Sequence, residues 1–322
     1  MIVTVTLNPL LEKRATVSKF VPGEQVRTQG FKLAAGGKGI NVSRQLKQMD
    51  VDSISPTFVG GSTGRSFLEA VNAERLEVIP IRTKSETREG FVIIEESSHT
   101  FSTFFGASQE ILDHERDEFI TKLKKIISNA ELIVLSGSSP GGNADTIFPE
   151  LIRFANELGK TTFLDTYGEH LAECIEAGPT VMHNNVEELS ASLQRSNTTE
   201  EEIRNTLSYL YSKGVKQAFI TDGGGKLYCS AFDFHYTVTP PRVALQSEVG
   251  SGDAFVAGIV YGWYKDMVFA DMLKLACGLG AGNAEQISVC AVSQERAHEL
   301  AAQTVITSVG KPMKILDVTP TI

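Results

Sequence analysis

The strongest constraint on the fold is a regular alternation of helix-like and strand-like segments from about residue 111 onward. Helices are predicted at residues 113–128, 145–158 and 200–213, and each leads into a short apolar run, at residues 132–135, 161–165 and 217–221. Such repeats are typical of parallel sheets, because a parallel neighbour is reached only through a crossover that is usually a helix. The pattern predicts an α/β fold: a doubly wound, mostly parallel sheet with helices on both faces.

The first half of the chain also contains segments with strand character. Residues 2–7 are mostly β-branched and stop at Asn8-Pro9, which predicts a central strand. Short polar strands and turns are expected at residues 13–32, where Pro22-Gly23 is a breaker, and further strands at residues 88–94 and 100–105. We expect these non-helical segments to pair as a small sheet separate from the main body.

Composition excludes several classes of protein. The 322 residues are 42% hydrophobic and 21% charged, which is ordinary for a globular protein. No apolar run approaches the roughly 20 residues that span a bilayer, and the N-terminus lacks the features of a signal peptide, so a cytoplasmic protein without membrane contact is expected. The net charge of -9 argues against a nucleic-acid partner. The four scattered cysteines argue against a zinc site or a disulfide framework.

A glycine turn at Gly250-Ser251-Gly252-Asp253 places a carboxylate at the start of a helix predicted over residues 253–268. Glycines permit close backbone approach, and the free N–H groups of a first helical turn attract anions. Phosphoryl transfer needs such a cradle together with a base that accepts the proton of the attacking hydroxyl, and Asp253 is placed to be that base. The alternative is an N-capping aspartate beside a flexible turn.

A second glycine turn, Gly36-Gly37-Lys38-Gly39-Ile40-Asn41, also enters a predicted helix. Its free N–H groups and Lys38 are suited to a polar ligand, and Asn41 can both donate to and accept from hydroxyls. The spacing matches neither the Walker A loop nor the dinucleotide-binding Gly-x-Gly-x-x-Gly pattern. A Rossmann dehydrogenase is therefore disfavoured.

Polar or glycine-rich residues follow the predicted strands: Ser136-Gly137-Ser138, Asp165, Asn184-Asn185 and Asp222-Gly223-Gly224-Gly225. In open α/β sheets, ligands bind outside the carboxyl ends of the strands. These segments are therefore expected to line one ligand site.

Taken together, the motifs resemble the ribokinase-like (PfkB) family of sugar kinases. The resemblance runs through Thr6-Leu7-Asn8-Pro9, the Gly36 to Asn41 turn, Leu135 to Ser138, Asn185-Val186-Glu187-Glu188, Thr221 to Gly225 and Gly250 to Asp253. Thr6 to Pro9 and the Gly36 to Asn41 turn are most similar to the 1-phosphofructokinase and tagatose-6-phosphate kinase branch. The resemblance implies one ribokinase-like domain over residues 1–322, with a small β lid at about residues 11–34 and 88–107.

The resemblance also implies roles at a nucleotide site that holds ATP and Mg²⁺. Asp253 is the expected base, and Gly250, Ser251 and Gly252 complete the anion hole for the γ-phosphate. Asn185 and Glu188 match a magnesium motif; the alternative for Glu188 is a solvated surface carboxylate. Residues expected at the nucleotide are Asn185, Thr221, Asp222, Gly223, Gly224, Gly225, Lys226, Gly252 and Asn283.

On the sugar side, the resemblance implies that Glu12, Gly36, Gly37, Asn41 and Asp253 contact the substrate. Arg88 is the first candidate for the substrate's own phosphate, since a guanidinium pairs bidentately with phosphate oxygens. Further candidates for the same anion are Arg27, Ser138 and Lys38. Each has a structural alternative: Arg27 as a solvated lid residue, Lys38 as a surface charge and Ser138 as a loop hydroxyl.

Three positions depart from the family pattern. Glu12 stands where the family usually has Asp, which extends the carboxylate and leaves the identity of the sugar open. His183 replaces a lysine before the magnesium motif, so a fixed positive charge is lost. Asp222 replaces an apolar residue and adds negative charge beside an anion site, which Lys226 or a bound cation would have to offset.

The resulting expectation is an ATP-dependent kinase that converts a ketohexose monophosphate, first of all fructose 1-phosphate to fructose 1,6-bisphosphate. The alternatives are a tagatose-6-phosphate kinase and a sugar-phosphate sensor with little turnover. Within the family, lids pair between subunits, which makes a homodimer through the lid a further expectation.

Overall fold

The computed structural model describes residues 1–97 and 100–310, so residues 98–99 of the predicted lid and 311–322 of the predicted domain lie outside the described part. Ten helices are described, numbered in chain order: α1 (Lys38–Gln48), α2 (Gly61–Ala73), α3 (Asp113–Ile127), α4 (Ile147–Glu157), α5 (Leu171–Glu176), α6 (Val186–Leu193), α7 (Glu200–Ser212), α8 (Ser251–Tyr264), α9 (Phe269–Ala284) and α10 (Gln294–Ala301).

Fourteen strands are described: β1 (Ile2–Val5), β2 (Leu10–Val17), β3 (Lys32–Gly36), β4 (Ser53–Gly60), β5 (Glu77–Thr83), β6 (Arg88–Glu95), β7 (Thr100–Phe105), β8 (Leu132–Ser136), β9 (Thr161–Asp165), β10 (Val181–Asn185), β11 (Gln217–Thr221), β12 (Leu227–Ala231), β13 (Phe234–Thr239) and β14 (Val305–Val309).

Ten of these strands form the main sheet, in the order β14-β13-β12-β11-β10-β9-β8-β1-β4-β5. The seven strands from β11 to β5 are parallel to one another, and β12, β13 and β14 extend the sheet in antiparallel fashion. β1 lies inside the sheet between β8 and β4, as predicted for a central strand. The mostly parallel sheet predicted from the sequence is confirmed.

Helices cover both faces of this sheet because successive side chains of each buried strand point to opposite sides. On one face, Val3 and Val5 of β1 belong to the cluster that contains Phe119 of α3 and Phe148 of α4. On the other face, Ile2 belongs to the cluster that contains Phe255 of α8. Two apolar layers therefore enclose the sheet, which confirms the doubly wound arrangement.

A second sheet of four strands, in the order β3-β2-β6-β7, lies apart from the main sheet in hydrogen bonding. β2 pairs in parallel with β6, from Leu10 opposite Arg88 to Val17 opposite Glu95. β3 and β7 flank this pair in antiparallel fashion. The two non-helical patches of the sequence therefore pair with each other as predicted, and the strands begin at Leu10 and end at Gly36 and Phe105.

Several helix boundaries differ from the sequence prediction. Residues 142–146 form a 3₁₀ turn, so the helix expected from residue 145 begins at Ile147. α8 ends at Tyr264, four residues earlier than predicted, because Asp266 is left-handed (φ 51°) and the amide of Met267 bonds back to the carbonyl of Gly262 at 2.9 Å. The patterns used above did not predict α2, α10 or the antiparallel strands β12 to β14.

The four cysteines are buried free thiols. Within residues 1–97 and 100–310, no helix combines the length and the apolar character needed to cross a membrane.

α8 and α9 pack closely because Gly258 has no side chain. A Cβ placed on Gly258 would lie 2.6 Å from the Cα of Ala276 in α9, which is backbone and cannot turn away. We predict that Gly258→Ala lowers the free energy of unfolding by about 1–3 kcal/mol, because the helices must separate. Chemical denaturation measures this change.

A matched control is Gly224→Ala, since a Cβ there meets no atom within 4 Å and its φ is not in the left-handed region. That control is expected to change stability by less than about 0.5 kcal/mol. Equal stability of both variants would show that the helices do not depend on the close approach.

Candidate active site

The turn that begins α8 is open to an anion. Gly250 caps the helix in the left-handed region (φ 84°), where a Cβ would also overlap the side chain of Val289. Among the described residues, the amides of Gly252 and Asp253 have no hydrogen-bond acceptor. A Cβ on Gly252 would fill the cradle and stand 3.2 Å from the ring of His183. The glycines therefore keep a space in which two unpaired N–H groups can bind negative charge.

Asn283 holds this turn from below. Its Nδ2 donates to the carbonyl of Val249 at 2.9 Å and to the hydroxyl of Ser251 at 3.1 Å, and its Oδ1 accepts from the amide of Cys290 at 2.7 Å. The side chain is fully buried in α9. The structure thus places Asn283 beneath the anion turn, where both Nδ2 protons are used and the amide fixes the shape of the turn.

Asp253 and Asn41 are in direct contact, so the two glycine turns of the sequence meet at one point. Asn41 donates from Nδ2 to Oδ2 of Asp253 at 2.7 Å, and Arg44 fixes the amide by donating to Oδ1 of Asn41 at 2.6 Å. Asp253 is 6% exposed. Burial raises the pKa of Asp253 to about 6, against the opposing effects of the Lys38 charge and the Asn41 hydrogen bond. Such a carboxylate is a suitable proton acceptor near neutral pH.

The turn before α1 lies tightly against β1. Gly37 caps the helix with φ 123°, and a Cβ there would stand 2.7 Å from Cγ2 of Thr6. A Cβ on Gly39 would overlap the Thr6 hydroxyl and the Val5 carbonyl. Only glycines allow the start of α1 to approach the strand this closely, and the approach brings Lys38 and Asn41 to the carboxyl edge of the sheet.

Lys38 points to carboxylates. Its Nζ lies 3.4 Å from Oδ1 of Asp165 and 3.1 Å from Oε1 of Glu188, and it stacks over the Tyr167 ring at 5.0 Å. Burial opposes the charge on Lys38, but Asp165 and Glu188 outweigh burial and raise its pKa. Asp165 is 1% exposed, and Lys38 and His183 lower its pKa in spite of burial. The ammonium group of Lys38 therefore stays charged beside Asp165 and Glu188.

The residues of the predicted magnesium motif adjoin each other at the start of α6. Oδ1 of Asn185 caps the helix by accepting from the amide of Glu188 at 2.7 Å. No cluster of three or more His, Cys, Asp or Glu suited to a metal exists in residues 1–97 and 100–310. One carboxylate at an anion site does suit Mg²⁺, which is commonly held by one or two carboxylates, water and substrate phosphates. Glu188 fits that role, and Asn185 fixes the backbone of the helical turn that carries it.

His183 occupies the position of the missing lysine. Its Nδ1 lies 3.0 Å from Oδ1 of Asp165, and its Nε2 lies 3.3 Å from the hydroxyl of Thr221 at the end of β11. The ring also packs against Phe255 of α8 with centroids 5.4 Å apart. His183 therefore connects Asp165 at the end of β9, Thr221 at the end of β11 and Phe255 of α8.

The loop after β11 is an exposed turn. The amide of Gly225 donates to the carbonyl of Asp222 at 2.8 Å, and Gly223 has φ 50°. Gly224 has open space around it. Lys226 pairs with Glu200 at 2.6 Å, so this lysine neutralises a carboxylate of α7 and not Asp222. The structure offers no account of the charge on Asp222.

On the small sheet, Glu12 faces Gly36 across the strand pair. A Cβ on Gly36 would stand 2.6 Å from Oε1 of Glu12, so the glycine makes room for the longer carboxylate. Oε2 of Glu12 accepts from Nε of Arg14 at 2.8 Å. The extra methylene is thus accommodated by a glycine and an ion pair within the small sheet.

Two of the residues expected to bind the substrate's phosphate, Arg88 and Ser138, lie close together. Arg88 reaches the carbonyl of Asn8 at 3.4 Å, and Nδ2 of Asn8 donates to the hydroxyl of Ser138 at 3.2 Å, so these three residues lie together. Arg27 is exposed in the connection between β2 and β3, and among the described residues no hydrogen bond or ion pair joins it to the others.

Some contacts at the site were not predicted from the sequence. Arg44 orients Asn41, and Ser136 donates to Oδ2 of Asp165 at 2.7 Å. Asn8 connects the Arg88 region to Ser138. The sequence contains a hint of each contact. Arg44 lies about one helical turn after Asn41, at the end of a glycine turn. Ser136 and Asp165 end apolar strands, and Asn8 lies in a motif.

Known proteins are similar to this chain over almost its whole length. A tagatose-6-phosphate kinase of Staphylococcus epidermidis is 29% identical over 312 residues, which cover 96% of this chain and all of the relative. Two solved structures at 24% identity share the fold. One, from Thermotoga maritima, is described as a possible 1-phosphofructokinase (TM-score 0.87; 96% and 99% of the two chains). The other is the tetrameric inhibited form of Escherichia coli phosphofructokinase-2 (TM-score 0.86; 94% and 98%).

The match to a family is the most specific of these comparisons. Residues 10–296 match the model of the pfkB family carbohydrate kinases, and this range includes both glycine turns, the small sheet and the nucleotide-loop candidates. With the fold and the arrangement of Asp253 in place, the chain belongs to the pfkB family of carbohydrate kinases.

Proposed function

We propose that the protein is an ATP-dependent phosphotransferase that phosphorylates a hydroxyl of a ketohexose monophosphate. Fructose 1-phosphate is the first candidate substrate, with fructose 1,6-bisphosphate as product, and tagatose 6-phosphate is the second. The observation that carries the proposal is the contact between Asn41 and Asp253, at 2.7 Å, beside the unpaired amides of the α8 turn. Family membership and the Staphylococcus epidermidis relative support the substrate class.

Asp253 is the proposed base. The acceptor hydroxyl would give its proton to a carboxylate oxygen of Asp253 as its oxygen attacks the γ-phosphorus of ATP. The bond from that phosphorus to the bridging oxygen would break and ADP would leave, while the α8 amides stabilise charge on the phosphoryl oxygens. Asn41 and Arg44 hold the carboxylate in one orientation. Lys38 faces the same space and adds positive charge where the transferring group would lie.

ATP and Mg²⁺ are the proposed cofactors. The open cradle at Gly252 supports phosphate binding, and adenine is proposed to lie between the loop of residues 221–226 and the last helices. Glu188 would hold Mg²⁺, in part through water, with Asn185 fixing the helical turn that carries it. Bound to the phosphates, Mg²⁺ would supply positive charge that offsets theirs. The use of ATP and the four free thiols support a cytoplasmic location.

The small sheet is proposed to be the lid of a single ribokinase-like domain. Glu12 and Arg88 lie on the same face of this sheet, because Leu10 pairs with Arg88 and positions two apart share a face. That face carries the sugar-binding candidates, so substrate would lie between the small sheet and the main sheet. Closure of the small sheet would exclude water and limit wasteful hydrolysis of ATP.

The role of Asp253 predicts a specific pH dependence. Because the base must be ionised, kcat should rise with pH through about 6, the value to which burial raises the pKa of Asp253. Asp253→Asn should lower kcat by roughly 10²–10⁴-fold, change the KM for ATP little and remove the acid limb. Steady-state assays of ADP formation between pH 5 and 8 measure all three.

The matched control is Asp222→Asn, an exposed carboxylate of the nucleotide loop, which should retain the acid limb. Full activity of Asp253→Asn would exclude the proposed base. If calorimetry detects fructose 1-phosphate binding but no ADP forms in the wild type, the sensor function replaces the kinase.

Arg88 should discriminate phosphorylated from unphosphorylated sugars. The guanidinium has no carboxylate partner among the described residues, so a substrate phosphate would be its counterion. Arg88→Met should raise the KM for fructose 1-phosphate by roughly 10–100-fold, because a hydrogen bond between charged groups is lost. The KM for fructose should change little in the same assay.

Arg75→Met removes an exposed arginine at the end of α2 and serves as the control. If Arg88→Met affects both sugars alike, Arg88 does not read the phosphate.

A homodimer through the lid is proposed from the outer face of the small sheet. Leu33, Phe91 and Phe104 lie in one row across the strands, opposite to the face of Glu12 and Arg88. These side chains are 39–52% exposed, and Phe31 packs edge-on against Phe91. Lys13 of β2 stands between Leu33 and Phe91 in this row, with its ammonium group over the Phe91 ring. Exposed apolar side chains grouped on one face favour association.

We predict that Phe104→Ser shifts a dimer toward monomer in light scattering, because it removes the most exposed of these three side chains from the face. Leu158→Ser, which alters an exposed leucine at the end of α4, is the control and should leave the mass unchanged. A wild-type monomer at all concentrations would exclude the lid dimer.

A further inference from the structure

Asn8 links two hydroxyl groups that come from different parts of the fold. Its Nδ2 donates to the hydroxyl of Ser108 at 2.9 Å and to that of Ser138 at 3.2 Å. Ser108 lies in the connection that leaves the small sheet after β7, and Ser138 lies in the loop after β8 of the main sheet. Asn8 itself is buried between β1 and β2. One amide thus brings the two sheets' loops to a common point.

This arrangement leaves both hydroxyls as hydrogen-bond donors. A hydroxyl has one proton and can accept as well, and an amide nitrogen carries two protons. The two Nδ2 protons of Asn8 are donated to Ser108 and Ser138, so each serine oxygen accepts a hydrogen bond from Asn8. Within the described part of the chain, neither serine hydroxyl has another partner. Two O–H groups are therefore free to donate to another acceptor.

Arg88 adds a positive charge at the same place. Its Nη2 donates to the carbonyl of Asn8 at 3.4 Å, and its Nε is buried with no acceptor. The Phe105 ring covers the guanidinium at 5.6 Å, and burial lowers the pKa of Arg88. A partly buried cation without a carboxylate partner among the described residues, next to two hydroxyl donors, is chemically suited to bind an anion.

We propose that Ser108 is a further substrate-binding residue, which donates with Ser138 and Arg88 to the phosphate monoester of the sugar. This inference rests on the proposed function, in which the acceptor is a sugar phosphate. Because Ser108 follows the small sheet and Ser138 follows the main sheet, the bound phosphate also ties the two sheets together. A sugar without a phosphate group could not connect Ser108 and Ser138 in this way.

The test compares Ser108→Ala with the wild type in two assays. Calorimetry without ATP measures binding of fructose 1-phosphate and of inorganic phosphate, and kinetic assays measure the KM for fructose 1-phosphate relative to that for fructose. We predict that Ser108→Ala weakens both phosphate-bearing ligands about tenfold and raises the KM ratio by the same factor, as expected for one lost hydrogen bond to an anion. Ser108→Thr keeps the hydroxyl and should restore binding.

The control is Ser102→Ala, a serine of β7 on the opposite face of the small sheet, which should match the wild type. If Ser108→Ala binds both phosphate ligands like the wild type while Arg88→Met does not, Ser108 is excluded and the proposed function stands. If no sugar phosphate is turned over but Ser108→Ala still weakens phosphate binding, the kinase function fails and the phosphate site remains.

Discussion

The hydrogen bond between Asn41 and Asp253 is the contact on which the arrangement of the site depends. It joins the first turn of α1 to the first turn of α8, which are 212 positions apart in the chain. Each turn is brought there by glycines whose Cβ atoms would collide with a strand or a neighbouring side chain. The bond therefore forms only if both helices approach the sheet edge closely, and it then fixes a base beside unpaired amides.

Electrostatic balance in the site follows from burial. Desolvation opposes charge on Lys38, Asp165 and Asp253 alike, so each charge persists only through its neighbours. Lys38 and His183 keep the Asp165 carboxylate ionised, while the nearby Asp165 charge helps to raise the pKa of Asp253. The same cluster thus contains two different carboxylates. Asp165 stays ionised and holds Lys38 and His183 in place, whereas Asp253 can exchange a proton near neutral pH.

Much of the architecture could be predicted from the sequence, because alternating helices and apolar strands have few packing solutions. The small sheet was also predictable, and its pairing of β2 with β6 confirms that expectation. Individual contacts were not predictable in the same way. Local sequence does not reveal that Lys38 turns to Asp165 and Glu188, or that Lys226 is engaged by Glu200, because each partner is brought by the tertiary fold. Ser108 belongs to no recognised motif, and only the tertiary fold brings its hydroxyl into contact with Asn8.

The interior position of β1 has a consequence for how the chain folds during synthesis. This strand is translated about 130 residues before its neighbour β8. Until then one edge of β1 has no partner, and pairing across such sequence separations is slow because loop closure precedes the stabilising contacts. Until β8 is made, the nascent chain therefore keeps one edge of β1 exposed, and a chaperone that binds extended apolar segments would find its target in this strand.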